Sequence, residues 1–187
     1  MTTRIYETDR LRLRHWRKSD REPFAHMNAD ATVMRYFPSI LEPTESDALV
    51  VRIEEHFTRF GFGLWALERK SDRRFIGFTG LSTVTFDASF TPAVEVGWRL
   101  DRSAWGQGFA TEAGARALTV GFEEFALAEI VSFTAAINLP SQAVMVRLGM
   151  THNPKDDFHH PRLPIDSPLS QHVLFRSSTS ASLQRNA

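Results

Sequence analysis

Residues Trp105-Gly106-Gln107-Gly108-Phe109-Ala110-Thr111-Glu112-Ala113 set two glycines in a turn that leads straight into a helix-forming run. Just upstream, Val94-Glu95-Val96-Gly97-Trp98-Arg99-Leu100 has the β-branched and aromatic content of a strand. The glycines therefore lie where a strand hands its chain to a helix N-terminus. Unsatisfied amide hydrogens and the positive end of the helix dipole converge at such a point, which suits an anion such as a pyrophosphate. A Gly-x-Gly turn alone also serves plain backbone geometry with positive φ, so its neighbours must decide.

Alternation in Leu11-Arg12-Leu13-Arg14 reads as a strand with one buried face. Ser19-Asp20 starts a helix with Pro23 in its first turn and Phe24, Met27 and Ala31 as the inner stripe, ending near residues 28–30. Thr44 followed by Asp47 caps a second helix, along which Leu49, Ile53, His56, Phe57 and Phe60 recur before Gly61. Residues 64–68 and 75–81 read as paired strands across a polar turn, and residues 86–92 as a loop before a central strand at 93–100. The next helix spans residues 109–125, where Gly114 and Gly121 each cost roughly 1 kcal/mol relative to alanine unless close packing offsets it. A strand at 130–135, a helix at 140–148, a structured loop at 152–168 and a last strand at 172–176 follow. The polar tail from Ser177 to Ala187 reads as disordered. This order gives an α/β (α+β) sheet in one domain over residues 1–176.

The 187 residues, 42% of them hydrophobic, suffice for one core but not for a second catalytic domain. Basic and acidic residues balance at 22 each, so no global field draws in nucleic acid or an acidic membrane. The absence of cysteine excludes disulfides and thiolate nucleophiles. No signal-like start and no apolar run near the ~20 residues of a bilayer span are found, so a cytoplasmic protein is expected.

From Val96-Gly97-Trp98 through the glycine turn to Asn138-Leu139-Pro140-Ser141 and Arg147-Leu148-Gly149-Met150, the chain resembles the acetyl-CoA-binding core of the GNAT superfamily of N-acetyltransferases. The Rim-type branch, ribosomal-protein N-acetyltransferase-like, is the nearest pattern. The resemblance covers residues 94–150 closely and extends more loosely to Thr8-Asp9-Arg10-Leu11-Arg12-Leu13-Arg14. It implies the GNAT fold, a central mixed but mostly antiparallel twisted sheet of about six to seven strands with helices on both faces. It also implies acetyl-CoA as cosubstrate, no metal, an amine acceptor on a protein N-terminus or a small molecule, and homodimers, which are common in the superfamily. Pyrophosphate contacts then fall to Gly106, Gln107, Gly108, Phe109, Ala110 and Thr111. Trp105 stands where the superfamily often has glutamine or arginine, and an aromatic there is typical of the Rim-type branch. Val96, Gly97 and Trp98 would offer backbone groups to the pantetheine arm, and Asn138 a further contact.

Acyl transfer from a thioester to an amine needs a deprotonated amine, donors for the developing oxyanion and a proton for the departing thiolate. Glu95 shares a strand face with Gly97 and Arg99, so it is the candidate base, against the plainer reading of an exposed or Arg99-paired glutamate. Many GNAT members protonate the thiolate with a tyrosine. Here Tyr6 and Tyr36 both lie far upstream, which makes Ser141 the candidate acid, although Asn138 and Ser141 also fit plain helix capping.

Asp156-Asp157-Phe158-His159-His160-Pro161 lacks the spacing of a helical metal site and reads as a substrate-facing loop, with His160 or Asp157 toward the acceptor amine. The resemblance places Tyr36 and Phe37 in the acceptor pocket, whereas pattern alone puts such aromatics in the core. The rival function is a non-catalytic acyl-CoA-binding module. A nucleotide phosphotransferase is disfavoured because the turn lacks the Gly-Lys-Ser/Thr ending of a P-loop.

Overall fold

The computed structural model describes residues 4–178. Its elements run in the order β1 (Tyr6–Glu7), β2 (Leu11–Arg14), α1 (Arg21–Ala29), α2 (Ala31–Met34), α3 (Pro43–Phe60), β3 (Leu64–Arg69) and β4 (Phe75–Thr83). They continue as β5 (Val94–Leu100), α4 (Phe109–Glu123), β6 (Glu129–Ala135), α5 (Leu139–Arg147), β7 (Thr151–His152), β8 (Phe158–His159) and β9 (Gln171–Ser178). The strands form one sheet in the order β1-β2-β3-β4-β5-β6-β9-β7, with β8 also on β9. Every pairing is antiparallel except that of β5 with β6, which α4 connects as a crossover. The longer strands meet the expected six to seven, and β1, β7 and β8 add two residues each.

Register assigns the faces. Phe78 pairs with Arg99, Ser82 with Glu95 and Gly80 with Gly97, so these side chains share the face against which Phe24 of α1 packs. Leu81 pairs with Val96 on the opposite face, under α4. There a Cβ built at Gly121 would lie 2.6 Å from Ile130 Cδ1 and 3.0 Å from Leu81 Cδ1. The glycine that weakens α4 by propensity is thus what lets the helix sit close on the sheet.

Several local readings are corrected. Arg14 does not alternate outward; it is 3% exposed. Its guanidinium donates to Asp20 through Nη1 (2.6 Å) and Nη2 (2.9 Å) and to Glu68 through Nε (2.9 Å), tying β2 to β3 and to the start of α1. Arg17 adds a second cation on Glu68 at 2.7 Å. Burial alone would raise the Glu68 carboxyl, and the bonds and charge of Arg14 and Arg17 overcome it to hold the group below its usual range.

Ala31 is exposed and belongs to α2 rather than to the stripe of α1. Pro43, not Thr44, opens α3, because Glu42 and Glu45 form the capping box. Along α3 the buried positions are Ser46, Val50, Ile53 and Phe57, with Leu49, His56 and Phe60 only half-buried. Ser177 and Ser178 complete β9, and the rest of the expected tail, like residues 1–3 of the start, lies outside the described residues. Among the described residues no helix is long and apolar enough to cross a membrane.

Removing Arg14 leaves Asp20 and part of the charge of Glu68 buried without their partner. Arg14→Ala is expected to cost about 3–5 kcal/mol, read as a lowered urea midpoint; a loss under about 1 kcal/mol would contradict a structural role for the cluster.

Candidate active site

β5 and β6 run parallel but share a single register pair, Glu95 with Val131. Ser132 donates its hydroxyl hydrogen to the Val96 carbonyl at 2.9 Å, so a side chain takes an acceptor that a continued ladder would use. Past this point residues of both strands, Gly97 to Leu100 and Phe133 to Ala135, line one cavity of about 960 Å³. A cleft outside the carboxyl ends of parallel strands is the usual ligand position in open α/β sheets.

The glycine turn forms one end of this cavity. Gly108 is the N-cap of α4 with φ 79°, and Gly106 has φ 72°, conformations that a β-carbon disfavours. Helical bonding in α4 begins with the Glu112 amide on the Gly108 carbonyl at 3.0 Å. The amides of residues 106–111 have no acceptor among the described residues. Gly106, Gly108, Phe109, Ala110 and Thr111 line the cavity, where these hydrogens and the helix dipole suit a pyrophosphate. Trp105 also lines it, held by an Nε1 donation to the Leu100 carbonyl at 2.9 Å. Gln107 does not: its side chain donates to the Ser103 carbonyl at 2.8 Å, leaving only its backbone to the turn.

Glu95 lines the cavity midway along the cleft, on the same face as Gly97. A Cβ at Gly97 would stand 3.7 Å from Glu95 Oε1, so the absent side chain keeps the carboxylate open. Among the described residues no cation pairs with Glu95; Arg99 instead donates through Nη1 to Asn28 Oδ1 at 2.6 Å. Burial without a counter-charge pushes the Glu95 carboxyl up to about 8.

Asn138 caps α5: its Oδ1 accepts from the Ser141 amide at 3.3 Å, and its Nδ2 donates to Thr134 Oγ1 at 2.8 Å and to Ser141 Oγ at 3.0 Å. Because Ser141 Oγ accepts from Asn138, its own hydrogen is left for donation into the cavity that Ser141 lines. Capping and proton donation are therefore compatible in this residue.

Tyr36, Phe37 and His160 line the cavity. Phe37 is 36% exposed, so core packing, which pattern alone favoured, is not its role. Burial lowers the His160 imidazole below its ordinary range, so it faces the cavity uncharged near neutral pH. Asp157 is not part of the lining, and His152 Nε2 lies 2.7 Å from its Oδ1. Val96 also falls outside, its side chain fully buried in the core. Among the described residues no group of three or more His, Cys, Asp or Glu is placed to hold a metal ion.

Sequence reading missed the clamp beneath the turn. Glu112 accepts from Thr8 Oγ1 at 2.6 Å, from the Arg10 amide at 2.9 Å and from Arg10 Nε at 2.6 Å, while Arg10 Nη1 donates to the Gln107 carbonyl at 2.9 Å. Its parts lie about a hundred residues apart; the one local signal was an acidic residue in the first turn of α4, where the dipole favours it.

A crossover cleft lined by orphan amides and by an unpaired, easily protonated carboxyl is a candidate site for acyl transfer. Residues 10–151 match the family described as Acetyltransferase (GNAT) domain, and the chain belongs to that family. Over 96 residues, 49% of this chain, it is 38% identical to the FsC-acetyl coenzyme A-N(2)-transacetylase of Aspergillus fumigatus, and it spans only 40% of that relative's length.

Among solved structures, a GNAT-family acetyltransferase from Bacillus anthracis superposes with a TM-score of 0.77 at 19% identity, covering 94% of this chain and 98% of that one. RimL, a ribosomal L7/L12 α-N-protein acetyltransferase in complex with coenzyme A, does so with a TM-score of 0.75 at 16% identity, covering 95% and 99%.

Between about pH 4.5 and 8 the native chain holds a proton on Glu95 that the unfolded chain has released, so stability falls as pH rises through that window. Relative to Glu95→Gln, the parent protein should lose melting temperature from pH 5 to pH 8.5 in calorimetry; parallel curves would contradict the buried, unpaired carboxyl.

Proposed function

We propose that the chain transfers an acetyl group from acetyl-CoA to a primary amine by direct attack, with residues 4–178 acting as one catalytic unit. The observation that carries this reading is the unpaired Glu95 carboxyl facing the same cleft whose far end is ringed by orphan amides. Acetyl-CoA supplies the activated thioester acyl group.

Gly106 to Thr111 hold its pyrophosphate, and the gap between β5 and β6 takes the uncharged arm, with Gly97 and Trp98 on one side and Asn138 on the other. Glu95 removes a proton from the acceptor ammonium, directly or through water, and a pKa of about 8 lets it both take and release that proton near neutrality. Ser141 donates its free hydroxyl hydrogen to the departing thiolate. Tyr36, Phe37 and His160 border the acceptor side. A peptide N-terminus of the Rim-type kind and a small-molecule amine both fit this chemistry.

Glu95→Gln should lower kcat by about 10²- to 10⁴-fold while leaving acetyl-CoA affinity within a few-fold, and should remove a rise in kcat/KM with pH centred near 8. Ser141→Ala should lower kcat by a smaller factor, about tenfold, at unchanged KM. Free CoA released from acetyl-CoA over a panel of amines and peptides reads both variants. Acetyl-CoA binding without transfer to any amine, or an unchanged turnover in Glu95→Gln, would sink the reading or its base.

Coenzyme A, but not ATP, should raise the melting temperature, and Gly108→Ala should weaken that shift by straining the turn at φ 79°. Equal shifts for both ligands would contradict a CoA-shaped cradle.

A further inference from the structure

Arg99 carries a charge that the fold does not neutralise. It sits on the Glu95 and Gly97 face of β5 and lines the cavity. Its one hydrogen-bond partner among the described residues is the neutral Asn28 Oδ1, and Asn28 is fixed by its own donation to Ser46 Oγ at 2.8 Å. Among the described residues no carboxylate reaches the guanidinium, whereas Arg14, buried on β2, has two. Arg99 lies over the Phe37 ring at 4.0 Å from its centroid and 5.5 Å from that of Phe78, contacts that hold a cation without cancelling its charge.

Its Nε is sealed from solvent with no partner. Nη2 lies on the same edge of the guanidinium as Nε; it has no partner among the described residues and keeps access to solvent, and Arg99 itself lines the cavity. Desolvation lowers the Arg99 pKa to about 10, the mark of a cation short of a counter-ion. Nor can the acyl carrier supply one, because the arm that crosses β5 is uncharged and the pyrophosphate belongs to the turn at residues 106–111.

We propose that Arg99 is the specificity determinant for the acceptor and receives a carboxylate carried by the same small molecule that offers the reacting amine. This inference rests on the acetyl-transfer reading for the position of that amine and for the path of the uncharged arm past β5. The Arg99 guanidinium lies over Phe78, its own cross-strand partner, whereas Glu95 stands opposite Ser82, so the arginine does not lean back along β5 and most of the four-residue spacing, on the order of 13 Å along a strand, remains between the two groups. A free α-amino acid, with one carbon between its nitrogen and its carboxylate, is too short to meet both groups. An ω-amino acid with a chain of several carbons is long enough. Such a ligand puts its ammonium against the unpaired Glu95 and its carboxylate against the unpaired Arg99.

The test is calorimetric titration of the full chain, preloaded with coenzyme A, with 6-aminohexanoate, with 6-aminohexanamide and with glycine. The acid should bind about 10- to 100-fold more tightly than the amide, the range for a hydrogen bond to a charged group, and glycine should bind more weakly than the acid. In Arg99→Gln the ratio of acid to amide affinity should fall to within about twofold, and in Arg99→Lys part of it should return, since a point charge remains where the fork is lost.

Equal affinity of the parent protein for acid and amide, no measurable binding of the acid, glycine binding as tightly as the acid, or an unchanged ratio in Arg99→Gln would each overturn the proposal. The comparison of ligands on the parent protein needs no variant to fold. Binding needs no turnover either, so a carboxylate preference without acetyl transfer to any amine would remove the proposed reaction and leave the anion site standing. Acetyl transfer without that preference would do the reverse.

Discussion

β5 and β6 are held together at one register pair and then part, and the rest of the molecule's chemistry depends on that gap. Parallel strands joined by a crossover helix would ordinarily continue their ladder for several residues. Here the Ser132 hydroxyl occupies the Val96 carbonyl at the branch point, and the strands beyond it line opposite walls of a cavity. Every candidate group reaches that cavity from an element anchored elsewhere: Glu95 and Arg99 from β5, Ser141 from α5, the orphan amides from the start of α4, and Tyr36 and Phe37 from the segment after α2. The gap is therefore what turns a sheet into a site.

The protein treats buried charge in two opposite ways. Around Arg14 it supplies two carboxylates within 2.9 Å and a second arginine on Glu68, so the desolvation penalty is offset by charge and geometry. Around Glu95 and Arg99 there is no counter-ion among the described residues, and each group is pushed by burial toward its neutral form. A titratable group without a partner is expensive to desolvate, so two of them on one strand face, both lining one cavity, mark that cavity as a candidate ligand site.

The cradle also shows a division of labour. Its amides stay free because nothing among the described residues takes them, while the turn itself is fixed by Arg10 and Glu112. Arg10 further lies over the Phe109 ring at 4.6 Å from its centroid. The loop between the N-terminal strands thus braces the turn without taking its amides, which preserves the unsatisfied donors of the candidate anion site.

Strand alternation, the glycine turn opening a helix, and the capping residues of α5 determined the α/β order of elements and the position of the turn, because each is set by neighbours in sequence through backbone geometry, while the family came from the resemblance of residues 94–150 and is shown by the family match. Where sequence reading failed, a distant partner had overridden a local rule. Arg14 followed the alternation of an exposed residue, yet Asp20 and Glu68 drew it inside. Pattern alone put Phe37 in the core while the resemblance put it at the acceptor pocket, and it lines the cavity; Asp157 lies outside that lining, beside His152.

Glu95 and Arg99 were legible as sharing a strand face, but a period of two cannot say whether that face meets water, each other or an empty cleft. The tertiary structure alone decided that they stay unpaired among the described residues, since Asn28 of α1 and Phe37, just after α2, hold the Arg99 guanidinium away from the glutamate.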